Sequence, residues 1–173
     1  RFFAAYPELR GQKIVLYAPT FRDGEQMPEI EPLITAAEKM GMLLIVRLHP
    51  LDRERLERRR VLPKFRECPE FGMAVADAVI TDYSAISIEA SLIKKPVYFY
   101  VYDLERYKET RGLNFDPLAE MPHCAFTKAE PLVDCFLHTP YDYEKLTAFR
   151  KEFVETDDTN LIMTFLTEGI NDR

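Results

Sequence analysis

The stretch from Ala78 to Glu89 constrains the fold more than any other part of the chain. Its first residues, Ala78 to Ile80, are apolar without alternation, as a strand covered on both faces requires. Polar residues follow, and the Ser84 hydroxyl can act as a helix N-cap by accepting a hydrogen bond from an early helix N–H. The stretch therefore predicts a buried strand, a tight turn and a helix.

This turn is suited to bind an anion. Ligands of open α/β sheets bind at the carboxyl ends of the strands, and a helix amino terminus presents N–H groups and a positive dipole end. We therefore predict that the turn at Ser84 holds a phosphate or diphosphate, with Asp82 in a supporting role.

The remaining elements predict an α/β fold. Continuous apolar runs predict further strands at 13–18, 42–48 and 97–101. Helices are expected at 28–40, 52–60, 86–93, 127–137, 143–153 and 160–166. The order β-loop-α-β implies parallel strands with right-handed crossovers. We expect residues 1–173 to form one Rossmann-like domain, an open parallel sheet with helices on both faces.

Four local details of this prediction can be checked against the structure. The helix at 86–93 is expected to pack through Ile88, Leu92 and Ile93. A capping box is expected to begin the helix at Thr127. Residues 102–121 are expected to form a long functional loop. The charged helix at 52–60 is expected to be solvated, although its arginines could also attract an anionic polymer or lipid head groups.

Composition excludes some classes of function. The chain has 173 residues, a net charge of −6 and a pI near 5.2, so we do not expect a nucleic-acid partner. Cys68, Cys124 and Cys135 form no CxxC pair, so we expect buried reduced thiols in a cytosolic protein, with no bound metal. No membrane-spanning segment or signal peptide is visible. Because the chain starts at Arg1 without Met, we expect a fragment of a larger protein.

Several polar residues are predicted to share the carboxyl edge of the sheet with Ser84. His49, followed by Pro50, ends a strand and can contact a phosphate or transfer a proton, although it can also simply bond a neighbouring loop. Arg111 lies in the long segment and can clamp a diphosphate, or pair with nearby acidic residues. Glu89, one helical turn after Ser84, can accept hydrogen bonds from sugar hydroxyls.

Thr20 and Arg22 follow the first strand and present a weaker case for the same site. The chain has neither a P-loop nor a Gly-x-Gly-x-x-Gly fingerprint, which argues against ATPase and dinucleotide-binding functions.

Five motifs together resemble the carboxyl-terminal half of the CDP-glycerol glycerophosphotransferases of teichoic acid synthesis. Each is weak alone, but they occur in order, and the resemblance covers residues 13–158. They are Tyr17-Ala-Pro-Thr-Phe-Arg-Asp23, Arg47-Leu-His-Pro50, Ile80-Thr-Asp-Tyr-Ser84, Lys95-Pro-Val-Tyr-Phe-Tyr100, and Tyr107-x-x-x-Arg-Gly112 with Phe115-Asp116.

The resemblance implies the second half of a GT-B fold, which holds a CDP-activated donor. It implies that His49 and Arg111 contact the donor phosphates and act in catalysis, with Ser84 and Ala85 supplying backbone N–H groups. Glu89, Thr20 and Arg22 would then face the nucleoside. The implied reaction transfers glycerol phosphate, or a related polyol phosphate, to a hydroxyl of a membrane-linked glycan and releases CMP. It needs no metal or cofactor.

Two departures from the family pattern keep alternatives open. Ile88-Glu89 stands where the family has Phe-Asp, and the spacing is similar to that of UDP-sugar enzymes of GT-B fold. The family's general-base histidine belongs to an amino-terminal half that is missing here, so we expect this chain to bind donor without catalysing transfer. A third possibility is a non-catalytic α/β interaction domain. The implied site of action is the cytoplasm, at the inner face of the cell membrane.

Overall fold

The computed structural model describes residues 4, 7, 10–22, 28–59, 66–67 and 72–154. For residues 56–59 and 66–67 only the backbone is described. Cys68 and the predicted helix at 160–166 lie outside these ranges. So do parts of two predicted segments, namely residue 60 of the charged helix and residues 23–27 after the first strand.

A single parallel sheet organises the described residues. Its strand order is β3-β2-β1-β4-β5-β6. Successive strands are added on one side of β1 up to β3 and on the other side from β4 onwards, so the order reverses between β1 and β4 while all strands stay parallel. At this point Val15 pairs with Ala78, and Tyr17 pairs with Ile80. The strands are β1 (Ile14–Tyr17), β2 (Leu43–Val46), β3 (Arg66–Glu67), β4 (Ala78–Thr81), β5 (Val97–Tyr100) and β6 (Ala125–Phe126).

The central strands are apolar because both of their faces are covered. Every residue of β1, β4 and β5 is buried, as expected for a parallel sheet between two helical layers. The predicted α/β class is therefore confirmed. The sequence did not predict β3 and β6, because two-residue strands are too short to leave an apolar pattern.

Eight helices connect and cover these strands within the described ranges. They are α1 (Glu31–Lys39), α2 (Pro50–Arg59), α3 (Gly72–Val75), α4 (Ile86–Leu92), α5 (Leu104–Arg111), α6 (Pro117–Glu120), α7 (Ala129–His138) and α8 (Tyr143–Phe153). Among the described residues, none of these helices combines the length and the hydrophobicity needed to cross a bilayer.

The helices lie on both faces of the sheet. The crossovers β1-α1-β2 and β4-α4-β5 run in opposite directions along the sheet, so right-handed connections put α1 and α4 on opposite faces. Helix α7 packs against α1, and α8 packs against α4. Each face is thus covered by two helices, which confirms the predicted layering.

The packing of α4 differs from the prediction. Its buried residues are Ile86 and three small ones, Ser87, Ala90 and Ser91, whereas Leu92 and Ile93 are 41% and 54% exposed. Ile88 is half-buried against the core. The error arises because the sequence pattern weights bulky apolar residues, whereas this helix approaches the sheet closely through small ones.

Two further predictions need correction. Residues 102–121 do not form one long loop, since they contain α5 and α6, with Asp116 capping α6. The capping box at Thr127 is also absent: α7 begins at Ala129 after Lys128, which makes no side-chain capping bond. Pro131 lies in the first turn and has no backbone N–H, so this helix start has one donor fewer that needs a capping partner.

The predicted solvated helix is only partly solvated. The side chain of Asp52 in the first turn of α2 is fully buried, and its Oδ1 lies 3.2 Å from Nη1 of Arg55. Burial raises the pKa of Asp52, and the charge of Arg55 partly offsets this effect. The thiols largely follow the prediction, because Cys124 is buried and Cys135 half-buried, and both are free.

A buried carboxylate joins the ends of β1 and β4. Asp82 accepts hydrogen bonds from the backbone N–H of Thr20 at 2.8 Å and from its hydroxyl at 2.6 Å. It also accepts one from the N–H of Tyr83 at 2.6 Å and pairs with Nη2 of Arg22 at 2.8 Å. These donors satisfy a carboxylate that is fully buried.

Arg22 extends this cluster to α5. Its Nε donates to Asp103 Oδ2 at 2.8 Å, and its Nη2 donates to Asp103 Oδ1 at 3.1 Å. Asp103 is the residue before α5, so one guanidinium connects the β1 loop, the β4 turn and the start of α5. We call Thr20, Arg22, Asp82 and Asp103 the Asp82 cluster.

We expect Asp82→Asn to lower the free energy of unfolding by about 3–5 kcal/mol, because it leaves a buried guanidinium without one of its two carboxylates. Urea denaturation checks this. The matched control is Asp134→Asn, an exposed residue paired with His138, whose loss should cost at most about 1 kcal/mol. Equal stabilities of the two variants would contradict a structural role for the Asp82 cluster.

We expect Ala90→Leu to destabilise the protein by about 1–3 kcal/mol, because Ala90 is fully buried and a larger side chain overpacks the helix against the sheet. In contrast, Leu92→Ala should change stability by no more than about 0.5 kcal/mol, since that side chain is exposed. Thermal unfolding of both variants tests the observed packing of α4, and the reverse order would refute it.

Candidate functional site

Two chambers open at the carboxyl edge of the sheet, where the strand order reverses. This is the position at which open α/β sheets bind ligands. The smaller chamber has a volume of about 540 Å³ and lies over the ends of β1, β2 and β4. The larger has about 830 Å³ and lies between the β4 turn and the end of α5. They share four lining residues, namely Tyr83, Ser84, Ala85 and Arg111.

His49 lies on the rim of the smaller chamber, three residues beyond the end of β2. Its side chain is exposed, and its Nδ1 lies 3.3 Å from the N–H of Leu51, which can donate to it. In the neutral ring this leaves the proton on Nε2. Pro50 follows as the first residue of α2, so the predicted pair lies in the chamber as expected from the strand end.

Strand β1 lies between the strands that carry His49 and Ser84. The loop after β1 therefore forms the floor between them and contributes Pro19, Thr20 and Phe21 to the chamber. The ring of Phe21 contacts the His49 ring, with centroids 5.2 Å apart. The sequence motif contained Phe21, but residue type alone gave no reason to assign it to the site.

Arg111 lines both chambers from the opposite side. It is the last residue of α5, and Gly112 ends that helix with φ = 74°, a conformation that favours glycine. The Arg111 guanidinium carbon lies 5.7 Å from the centroid of Phe21 and 6.0 Å from that of Tyr107. The residue comes from a helix end rather than the predicted loop, yet it reaches the predicted place.

The turn at Ser84 and Ala85 forms the boundary between the chambers. The helix N-cap is Ala85, not Ser84, and the Ser84 hydroxyl accepts only a long bond of 3.4 Å from Ile86. Within the described residues the N–H groups of Ser84 and Ala85 donate no hydrogen bond. They can therefore donate to an anion in the chamber.

Glu89 and Thr20 line the smaller chamber, where the predicted nucleoside contacts belong. Glu89 is exposed on α4, so its carboxylate can accept hydrogen bonds from a ligand. Thr20 instead donates both its N–H and its hydroxyl to Asp82, so only its acceptor lone pairs remain for a ligand.

Arg22 does not fit the predicted nucleoside contact. It is only 4% exposed and absent from the lining of either chamber. Burial opposes its charge, but Asp82 and Asp103 outweigh this effect and raise the pKa of Arg22. The residue is therefore a charged structural element of the Asp82 cluster.

Three tyrosines complete the surroundings of Arg22. The guanidinium carbon lies between 5.3 and 5.6 Å from the ring centroids of Tyr83, Tyr102 and Tyr107. Tyr83 and Tyr107 stack with centroids 3.8 Å apart and form a wall of the larger chamber. Burial, followed by the charge of Asp103, raises the pKa of Tyr83, so its hydroxyl stays protonated and donates to Asp103 at 3.1 Å.

The larger chamber has a mixed lining. Apolar side chains of Ile88, Leu113, Phe115 and Phe153 face polar groups from Ser87 and Asn114. None of these residues is assigned to a site by its sequence pattern. Phe115 does belong to the motif that contains Arg111 and Gly112, whereas Phe153 lies on α8, which no motif connects to that segment.

The chemistry available at this edge is the binding of an anion next to hydroxyl groups. Arg111, His49 and two backbone N–H groups can donate to phosphate oxygens, while Glu89 can accept from a sugar. Among the described residues, no group of three His, Cys, Asp or Glu side chains is arranged to hold a metal ion.

Comparison with known proteins identifies relatives of this chain. It is 32% identical over 160 residues to a teichoic acid glycerol-phosphate primase of Bacillus subtilis strain 168, covering 88% of this chain and 42% of that protein. It is 30% identical over 188 residues to a teichoic acid ribitol-phosphate primase of Bacillus spizizenii, covering 97% and 48% respectively. The chain thus spans about half the length of these curated relatives.

Solved structures agree at the level of the fold. The wall teichoic acid polymerase TagF superposes with a TM-score of 0.66 at 22% identity, covering 94% of this chain and 44% of that one. The family model described as CDP-glycerol:poly(glycerophosphate) glycerophosphotransferase matches residues 3–162. Because this match covers most of the sequence, the chain belongs to the CDP-glycerol:poly(glycerophosphate) glycerophosphotransferase family.

Proposed function

We propose that this chain is the donor-binding domain of a transferase that moves glycerol phosphate, or a related polyol phosphate, from a CDP-activated donor. The observation that carries the proposal is the convergence of His49, Arg111 and the N–H groups of Ser84 and Ala85, for which the described part of the chain supplies no acceptor. Three separate segments supply these groups at the one edge where the strand order reverses.

A diphosphate at this turn accounts for both chambers. His49 lines the smaller chamber only, whereas Arg111 and the turn line both. A donor with its phosphates at the shared boundary can direct its nucleoside towards Glu89 and Thr20 in the smaller chamber. The polyol phosphate to be transferred then faces the larger one. Asp82 and Pro50 support this arrangement without touching the donor.

The proposed reaction breaks the bond between the β-phosphorus and the oxygen of CMP. A hydroxyl of the acceptor forms the new bond to that phosphorus, and the leaving CMP gains negative charge. Arg111, His49 and the backbone N–H groups offset this charge, which is the main means of accelerating such transfers. We assign His49 and Arg111 as catalytic on this ground and propose that no metal or cofactor is needed.

The acceptor hydroxyl must lose a proton to a base, and we propose that this base lies outside this chain. Family relatives are about twice as long as this chain, which supports an additional amino-terminal half of GT-B type across the cleft. That half would carry the general base and bind a lipid-linked glycan of the teichoic acid type. The protein would then act in the cytoplasm, at the inner face of the cell membrane.

A UDP-sugar is the alternative donor. Glu89 is one methylene longer than the Asp expected from the family resemblance, and its spacing from Asp82 is similar to that of UDP-sugar enzymes. The anion contacts would serve either nucleotide, because groups that hydrogen-bond to the phosphates do not contact the base. The base is therefore the feature that separates the two donors.

We expect His49→Asn and Arg111→Ala each to weaken CDP-glycerol binding by about 1–3 kcal/mol, the scale for losing a hydrogen bond to a charged group. Isothermal titration calorimetry measures this. The matched controls are His138→Asn, an exposed histidine on α7, and Arg106→Ala, an exposed arginine on α5. Neither lines a chamber, so both should bind CDP-glycerol like the unmodified protein.

Unchanged affinity in both His49→Asn and Arg111→Ala would contradict the proposed site. Together with no detectable nucleotide binding by the unmodified protein, that result would favour a non-catalytic interaction domain. Equal losses in the test and control variants would instead indicate a general effect of removing positive charge.

Calorimetry with CDP-glycerol and with UDP-N-acetylglucosamine tests the donor itself. We expect CDP-glycerol to bind at least about tenfold more tightly, a difference of about 1.4 kcal/mol. Glu89→Gln should weaken both ligands similarly, because a carboxylate that binds ribose does not distinguish the bases. Tighter binding of UDP-N-acetylglucosamine would overturn the proposed donor.

A further inference from the structure

Phe21 lies among three groups that carry or can carry positive charge. Its ring centroid is 4.5 Å from the guanidinium carbon of Arg55 and 5.7 Å from that of Arg111. The His49 ring is 5.2 Å away at an interplanar angle of 41°. The Phe21 side chain is half-buried on the floor of the smaller chamber. Both proposed phosphate-binding side chains therefore touch the same ring.

The first of these neighbours is fixed in place. Nη1 of Arg55 donates to the backbone carbonyl of Arg22 at 2.6 Å and to the buried Oδ1 of Asp52 at 3.2 Å. The Arg55 side chain is only 17% exposed. It connects α2 to the loop that carries Phe21, so the ring is held between an anchored guanidinium and the chamber.

The backbone around Phe21 is fixed as well. Thr20 is bound through its N–H to Asp82, and Arg22 is bound through its side chain to Asp82 and Asp103. Phe21 lies between these two residues of the Asp82 cluster. Its ring is thus presented to the chamber from a segment with both neighbours anchored.

An aromatic ring attracts guanidinium groups through its negative face. Arg111 and His49 are exposed, and exposed long side chains lose conformational freedom when they bind a ligand. A ring that already holds them near their binding positions reduces that loss.

We propose that Phe21 is a positioning residue, whose ring orders Arg111 and His49 for the donor diphosphate. This inference rests on the proposed function of the site and adds a residue that contacts the phosphate-binding groups rather than the phosphates. It assigns a role to Phe21 of the first motif, whose neighbours Thr20 and Arg22 belong to the Asp82 cluster.

The variant that tests the proposal is Phe21→Leu, which keeps apolar volume and removes the ring. Phe136→Leu is the matched control, since Phe136 is half-buried, contacts Lys13 through its ring and lines neither chamber. Calorimetry should show that Phe21→Leu weakens CDP-glycerol binding about tenfold, within the range of a lost cation–π contact. Phe21→Tyr, which keeps an aromatic ring, should bind CDP-glycerol with nearly the affinity of the unmodified protein. Phe136→Leu should leave that affinity unchanged.

Cytidine separates positioning from direct stacking on the ligand. Because cytidine has no phosphates, its affinity should be the same in Phe21→Leu and the unmodified protein. Equal weakening of cytidine and CDP-glycerol would overturn the proposal in favour of a nucleoside contact. Melting temperatures should agree between Phe21→Leu and Phe136→Leu, and a large fall in Phe21→Leu alone would make the residue merely structural.

A double-mutant cycle gives an independent readout. If the ring acts through Arg111, adding Phe21→Leu to Arg111→Ala should weaken CDP-glycerol binding by much less than tenfold. Full additivity of the two substitutions would show that Phe21 does not act through Arg111, and would overturn that part of the proposal.

The test also works if the proposed donor is wrong. Should the protein bind UDP-N-acetylglucosamine instead, the same variants are measured with that ligand and with uridine. Should it bind neither nucleotide, nuclear magnetic resonance relaxation of the Arg111 Nε–H reports on its order without ligand. We expect greater mobility in Phe21→Leu than in Phe136→Leu, and equal mobility would overturn the proposal whatever the donor is.

Discussion

The site depends on the buried carboxylate of Asp82. A charge that is fully removed from water is tolerated only when donors surround it, and here they come from Thr20, Arg22 and Tyr83. These donors tie the loop after β1 to the turn after β4. The opening between these two strand ends, which an α/β sheet offers to ligands, thereby acquires a fixed shape.

Arg22 carries this constraint to a third element. Its bonds to Asp103 fix the start of α5, and the end of the same helix delivers Arg111 to the chambers. The position of the exposed Arg111 thus depends on a buried guanidinium that is bound at the other end of the same helix. A helix transmits position well because its backbone is internally bonded along its whole length.

The proposed site is an anion-binding edge in an acidic protein. The net charge of −6 gives no general attraction for phosphate. In the proposed site, attraction for an anion therefore comes from aimed donors, namely the helix-start N–H groups, His49 and Arg111. Arg55 adds a guanidinium beneath Phe21 that is held by Asp52 and by the Arg22 carbonyl. Local arrangement, rather than overall charge, makes the chamber suitable for a diphosphate.

The sequence by itself determined the α/β class, the four main strands and the end of the sheet at which His49, Ser84, Glu89 and Arg111 meet. Strand polarity and right-handed crossovers decide these features, and both follow from local apolar patterns and loop order. The apolar pattern wrongly predicted that Leu92 and Ile93 pack α4 against the core. Both are exposed, and the buried residues of this helix are mostly small.

Only the tertiary structure decided which arginine faces the chambers. Arg22 and Arg111 both lie within motifs and carry the same guanidinium group, so the sequence assigned both to the donor site, Arg111 to the phosphates and Arg22 to the nucleoside. Arg22 is buried because it meets Asp82, 60 residues away, and Asp103, 81 residues away. Arg111 instead ends a helix at the rim. Burial of a charge depends on such partners, and local sequence patterns cannot predict them because they lie far away in the sequence.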